Sequence, residues 1–219
     1  MRIGIIGGSF NPVHLGHLYA ARFALRKANL NEVWFLPAYL PPHKAKSQFV
    51  SAYHRFAMLS LATIKTKNFK ILTFELDKSS ICYTIDTINS LIQSFNDKNN
   101  HQFFFIMGSD SLLEIQTWKD YPKLLNLIFF IILERSNVSY NSLSSLPSWI
   151  KEKFTFNLNE MDLIRKNILL LKGKMPNISS STIRNLIREN KDIGNLVPKS
   201  VIKYIQKYNL YKEVNHSQK

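Results

Sequence analysis

The chain has 219 residues, enough for one substantial domain with a hydrophobic core. An apolar content of 45% excludes a disordered protein, and the single cysteine, Cys82, excludes an internal disulfide and a cysteine-built metal cage. The formal charge of +14 raises nucleic acid as a partner, but 21 of the 29 basic residues are lysines, scattered with no block of like charge. The expectation is therefore a basic surface that draws anionic nucleotides, not a nucleic-acid-binding protein.

Arg2–Ile6 predicts a first strand, entered from Met1 with no secretory apolar region, which makes a cytoplasmic location the expectation. A helix over Leu15–Ala28 and a strand over Val33–Leu36 follow. Next come a helix over Ala52–Ile64, a strand over Ile71–Leu76 and a helix over Thr84–Phe95. In the last of these, Ile85, Ile88, Leu91, Ile92 and Phe95 share one face at the 3.6-residue period. Gln102–Met107 predicts another strand. The most apolar run, Leu127–Leu133, is too short to cross a bilayer and reads as a buried strand. Ser136–Ser148 reads as a polar loop, Trp149–Phe154 as a short helix and Ile168–Leu171 as a strand. Helices over Ser180–Glu189 and Pro198–Tyr208 come last, the second with Pro in its first turn.

Nearly continuous apolar strands alternating with amphipathic helices predict an α/β fold, a Rossmann-like doubly wound parallel sheet with a small C-terminal helical part. In that class ligands bind beyond the carboxyl ends of the strands. Residues 1–175 would form the core, 176–212 the helical part and 213–219 a disordered tail.

The first strand runs into Gly7-Gly8-Ser9-Phe10-Asn11-Pro12-Val13-His14-Leu15-Gly16-His17. Two glycines at a strand end admit backbone N–H groups to a ligand, and the following helix N-terminus makes an anion site of the same place. His14 and His17, three apart, project from one side of the first turn. Neither a dinucleotide fingerprint nor a Walker A sequence is present. A third metal ligand beside the His pair is not evident, and no metal site is expected. Near the other end, Ile178-Ser179-Ser180-Ser181-Thr182-Ile183-Arg184 reads first as a helix cap, with Ser179 or Ser180 as the capping residue. The same N–H groups, hydroxyls and Arg184 would also clamp phosphates.

The first segment resembles the His-x-Gly-His signature of the adenylyl- and cytidylyltransferase superfamily, and the second resembles the Ile-Ser-Ser-Thr-x-Ile-Arg box that accompanies it. Asn11 stands where members usually have Asp, and Ser181 where the box has Thr. Between them, Pro41-Pro42-His43-Lys44, Cys82-Tyr83-Thr84-Ile85-Asp86-Thr87, Gly108-Ser109-Asp110 and the downstream Trp118 are similar to the motifs of bacterial nicotinate-mononucleotide adenylyltransferases. Cys82 replaces their usual Ser.

The resemblance implies an adenylyltransferase that uses ATP, with Mg²⁺ arriving on the ATP, and nicotinate mononucleotide as acceptor. ATP would meet Gly7, Gly8, Ser9, Phe10, His14 and His17, with His17 nearest the α-phosphate, and Ser180, Ser181 and Arg184 at the β/γ end. His14, His17 and Arg184 would be the catalytic groups. The mononucleotide would meet His43, Lys44, Tyr83, Thr84, Asp110 and Trp118. Its ring carboxylate fits the helix N-terminus at Thr84, and its electron-poor ring fits the Trp118 face. Nicotinamide mononucleotide or 4′-phosphopantetheine as acceptor, and a non-catalytic nucleotide- or RNA-binding module, remain the alternatives.

Overall fold

A computed structural model describes residues 1–40, 49–78, 80–95, 101–134 and 140–212. Strand β1 (Arg2–Gly8) leads into α1 (Leu15–Lys27), β2 (Glu32–Pro37), α2 (Ala52–Thr63), β3 (Phe69–Ile71), α3 (Phe74–Lys78) and α4 (Thr84–Ser94). The second half runs β4 (Gln102–Gly108), α5 (Ser109–Leu113), α6 (Tyr121–Leu127), β5 (Phe129–Leu133), α7 (Ser148–Lys151), β6 (Phe154–Thr155), β7 (Ile168–Leu171), α8 (Ser180–Arg188) and α9 (Lys199–Lys207). The strands form one parallel sheet in the order β3-β2-β1-β4-β5-β7-β6.

Side-chain alternation puts a core on each face, which is why the strands read as unbroken apolar runs. Along β4, Phe103, Phe105 and Met107 enter one core while Phe104 and Ile106 enter the other. The Phe104 face is covered by α1, α2, α8 and α9 through Leu18, Met58, Ile183 and Val201. The opposite face is covered by α4, α5, α6 and α7 through Ile88, Leu112, Leu124 and Ile150. Residues 176–212 thus share a core with the sheet, and the proposed tail, 213–219, lies outside the described residues. No helix among the described residues is long and apolar enough to cross a membrane.

Two expected strands are corrected. The run 71–76 is not one strand: β3 ends at Ile71 and the chain turns into α3, where the Asp77 N–H donates to the Thr73 carbonyl at 2.9 Å and the Thr73 hydroxyl to the Asp77 carboxylate at 2.8 Å. A short apolar run carries no periodicity to separate strand from helix, so local capping decides. Leu127 closes α6 and is not the start of β5. The expected helix over Trp149–Phe154 shortens to α7, with Phe154 opening β6. Pro198 is the N-cap of α9, one residue before its first turn.

The strand order reverses between β1 and β4, and there the sheet opens. The β1–β2 ladder continues to Gly8↔Pro37 and the β4–β5 ladder to Gly108↔Leu133, whereas the β1–β4 ladder ends at Ile5↔Phe105. The two halves part over their last residues and leave a crevice at their carboxyl ends, the position where ligands enter sheets of this kind.

Candidate active site

The crevice is a cleft of about 320 Å³, within the range that holds small molecules. One wall carries Gly7, Gly8, Ser9 and His17; the other carries Glu75, Cys82, Thr84, Ser111 and Trp118.

His14 and His17 are built into the start of α1. His14 is the N-cap, with its Nδ1 accepting from the His17 backbone N–H at 3.4 Å, while His17 Nδ1 accepts from the His14 backbone N–H at 3.2 Å. This is a capping box made of two imidazoles. An accepting Nδ1 carries no proton, so each neutral ring holds its proton on Nε2. The rings stack with centroids 3.6 Å apart. Gly16 leaves room for this arrangement: a Cβ there would lie 3.0 Å from His14 Nδ1, a tight contact. His14 is buried and His17 faces the cleft. The Leu15 N–H donates to the Leu196 carbonyl at 2.9 Å, so the helix end is less open to an anion than the sequence suggests, and Gly16, beside it, lines the cleft.

Phe10 stands behind His17 and does not line the cleft. Its backbone is left-handed (φ 47°), unusual for an aromatic residue, and its buried ring packs edge-on to His17 at 5.0 Å. Strain of this sort accumulates where a site must be held in one shape.

Ser179 is the N-cap of α8 and accepts from the Thr182 N–H at 3.1 Å. The Ser180 hydroxyl donates to the Pro12 carbonyl and Arg184 Nη1 to the Asn11 carbonyl, both at 2.9 Å. The second motif is thus bolted to the first across 168 and 173 residues of chain. Ser181 is exposed, and neither Ser180, Ser181 nor Arg184 lines the cleft itself. Burial lowers the Arg184 pKa, the neighbouring Tyr211 opposing it and Arg188 adding to it.

On the opposite wall Tyr83 is the N-cap of α4 and makes no side-chain capping bond, leaving Thr84 as the first helical residue facing the cleft. Trp118 lines the same cleft and packs edge-on to Phe105 at 6.1 Å. Lys119 ties these elements together, reaching the Asp86 carboxylate at 2.9 Å while lying 4.8 Å from the Tyr83 ring centre. Asp110 is exposed in the first turn of α5 and does not line the cleft. His43 and Lys44 lie outside the described residues.

Two further buried residues, one lining the cleft and one bracing the loop beneath its β1 wall, gave no sign in the sequence. Glu75, in α3, is 6% exposed and accepts from the Thr87 hydroxyl at 3.0 Å. Burial raises its carboxyl pKa to about 7, with the Thr87 bond pulling the other way. Arg55, in α2, is 1% exposed and donates to the carbonyls of Ser9 (2.8 Å), Ala38 (2.6 Å), Tyr39 (2.6 Å) and Val50 (3.4 Å). It stitches the loop after β1 to the loop after β2. Neither had a local signal: Glu75 fell in a run read as a strand, and Arg55 looks like one more helix cation.

A parallel sheet opened at its switch point, with paired histidines on one wall, is the layout of a nucleotidyltransferase. The chain belongs to the cytidylyltransferase-like family, whose model matches residues 5–186. It is 37% identical to a Thermoanaerobacter protein described as a probable nicotinate-nucleotide adenylyltransferase, over 97% of this chain and 95% of that one. A Carboxydothermus hydrogenoformans protein of the same description is 39% identical over 96% and 98%. Among solved structures, the nicotinic acid mononucleotide adenylyltransferase of Plasmodium falciparum complexed with NaAD superposes with a TM-score of 0.71 at 25% identity, covering 96% of this chain and 97% of that one.

Proposed function

We propose that the protein transfers the adenylyl group of ATP to nicotinate mononucleotide, giving nicotinate adenine dinucleotide and pyrophosphate in NAD biosynthesis. The observation that carries this reading is the two-walled crevice, with His17, held by its mutual cap with His14, on one side and a helix start without a side-chain cap beside a tryptophan on the other. The names of the full-length relatives point the same way.

The mononucleotide phosphate oxygen attacks the α-phosphorus of ATP, and the bond from that phosphorus to the bridging oxygen breaks as pyrophosphate leaves. No protein nucleophile is required. His17 and His14 donate from Nε2 to phosphate oxygens as charge builds there, and Gly7, Gly8 and Ser9 offer close backbone approach. Ser180, Ser181 and Arg184 hold the β/γ end beside the Asn11–Pro12 turn, and Lys44 adds charge. The work is positioning and electrostatic stabilisation. Thr84 at the α4 start receives the ring carboxylate and Trp118 the pyridinium face, with Tyr83 next to Thr84; His43 and Asp110 are further proposed contacts of the mononucleotide.

Mg²⁺ is proposed to travel with ATP. This ion commonly takes only one or two carboxylates beside phosphate oxygens, so it needs no protein cage. Among the described residues no group of three or more His, Cys, Asp or Glu could hold an ion alone. When bound, the ion neutralises charge on the departing pyrophosphate. We propose the cytoplasm as the protein's location, in keeping with soluble nucleotide substrates.

The test is pyrophosphate release with ATP and Mg²⁺, offering nicotinate mononucleotide, nicotinamide mononucleotide and 4′-phosphopantetheine in turn. Preference for the nicotinate form by at least tenfold in kcat/KM is expected. Activity only with another acceptor would overturn the roles of Thr84 and Trp118, and silence with all three would leave a binding module.

A further inference from the structure

The turn that carries the phosphate-facing groups is gripped from outside the motifs. Tyr211, beyond α9, donates its phenol O–H to the Asn11 side-chain Oδ1 at 3.0 Å, joining residues 200 apart. Asn11 is the residue whose carbonyl anchors Arg184, and the next residue, Pro12, anchors Ser180. Arg55 holds Ser9 two residues upstream. The backbone of Tyr211 is left-handed (φ 67°), as is that of Asn209 (φ 47°). For a bulky aromatic residue this conformation is a true outlier, costing on the order of 1–3 kcal/mol, and an unsupported chain end would relax out of it. At the other end of the bond the turn begins with Phe10, also left-handed. Strained backbone on both sides of one hydrogen bond means that the contact is imposed by the fold.

We propose that Tyr211 is a positioning residue of the phosphate site, fixing Asn11 so that Arg184 and the start of α8 meet the β/γ end of ATP. The inference rests on the ATP reading above, but not on the identity of the acceptor. Burial keeps the phenol protonated, against the pull of Arg184 and Arg55, so it remains a donor across the working pH range. The side chain packs against the same core as α8 and α9, so the ring is held whether or not its hydroxyl is present. The hydroxyl can therefore be removed with the packing left intact.

The experiment is titration of the full chain with an ATP analogue bearing a methylene bridge between its α and β phosphorus, and separately with nicotinate mononucleotide. Tyr211→Phe should weaken the analogue at least fivefold, the size of one lost neutral hydrogen bond. It should leave the mononucleotide within twofold and the melting temperature within a few degrees. In an Arg184→Lys background the Tyr211→Phe loss should shrink below twofold, because a residue acting through Arg184 has little left to position. Asn11→Ala, which removes the acceptor and keeps Tyr211, should reproduce the selective loss. Unchanged analogue affinity, equal weakening of both ligands, or full additivity with Arg184→Lys would each overturn the proposal. A wild-type protein that binds no analogue would sink the ATP reading itself, a failure distinct from these.

Discussion

The two walls of the crevice are built differently. The β1 wall is knitted by one local, reciprocal pair of bonds and three long-range ones: two histidines cap each other, and Ser9, Asn11 and Pro12 each have a carbonyl held by a side chain distant in sequence. The α4 wall is assembled from α3, α4 and the loop carrying Trp118, braced by a buried side-chain bond, Thr87 to Glu75, and by an exposed ion pair between Lys119 and Asp86. Charge developing on a phosphate demands donors fixed before the reaction. An acceptor ring asks mainly for a shaped pocket, which loosely tied segments can supply.

Substitutions can break this contrast at either wall. The largest effect should come from Arg55→Leu, which orphans buried carbonyls under the β1 wall. We expect a loss of about 4 kcal/mol of stability, in the range for breaking a buried polar network, measurable by urea denaturation. A loss below about 1 kcal/mol would mean that the stitch is dispensable.

Glu75 tests the opposite wall through pH. Its folded pKa of about 7 lies above the ordinary 4.5, so the folded state keeps a proton that the unfolded chain releases first. Stability from this group is complete below about 4.5 and is lost as pH rises to 7. Glu75→Gln should abolish that fall and gain up to about 3 kcal/mol at pH 8 relative to wild type. Parallel wild-type and mutant stability profiles between pH 5 and 8 would contradict the assignment.

Smaller effects should follow at the pocket rim. Trp118→Ala should raise the KM for nicotinate mononucleotide about tenfold, equivalent to roughly 1.4 kcal/mol of lost ring contact, while the KM for ATP stays put. Lys119→Ala should be nearly silent in stability, at most about 0.5 kcal/mol, because an exposed pair gains little. A larger change would show the α4 wall to be as tightly braced as the other.

The difference between the walls also explains what could be read from the chain. The β1 wall is a contiguous string from Gly7 to His17, because a helix N-terminus gathers its donors from adjacent residues. The serine run before Arg184 announced a cap, and Ser179 is that cap. The alternation of apolar runs and helices was enough for the doubly wound sheet. Glu75, Arg55 and Tyr211 gave no such sign. Each acts through a partner on a different segment, Thr87, Ser9 and Asn11 respectively, and only the folded arrangement brings those pairs together. The misread strand at 71–76 cost the reading its buried carboxyl, since α3 and not a strand turns Glu75 into the cleft.

In the proposed reaction the β1 wall performs the transfer while the α4 wall holds the acceptor, and the single-turnover rate of His17→Ala with both substrates saturating separates these two roles. We expect a fall of about 100-fold, the loss typical of one transition-state donor, with the mononucleotide concentration at half-saturation unchanged. A folded mutant that turns over within threefold of wild type would contradict the account.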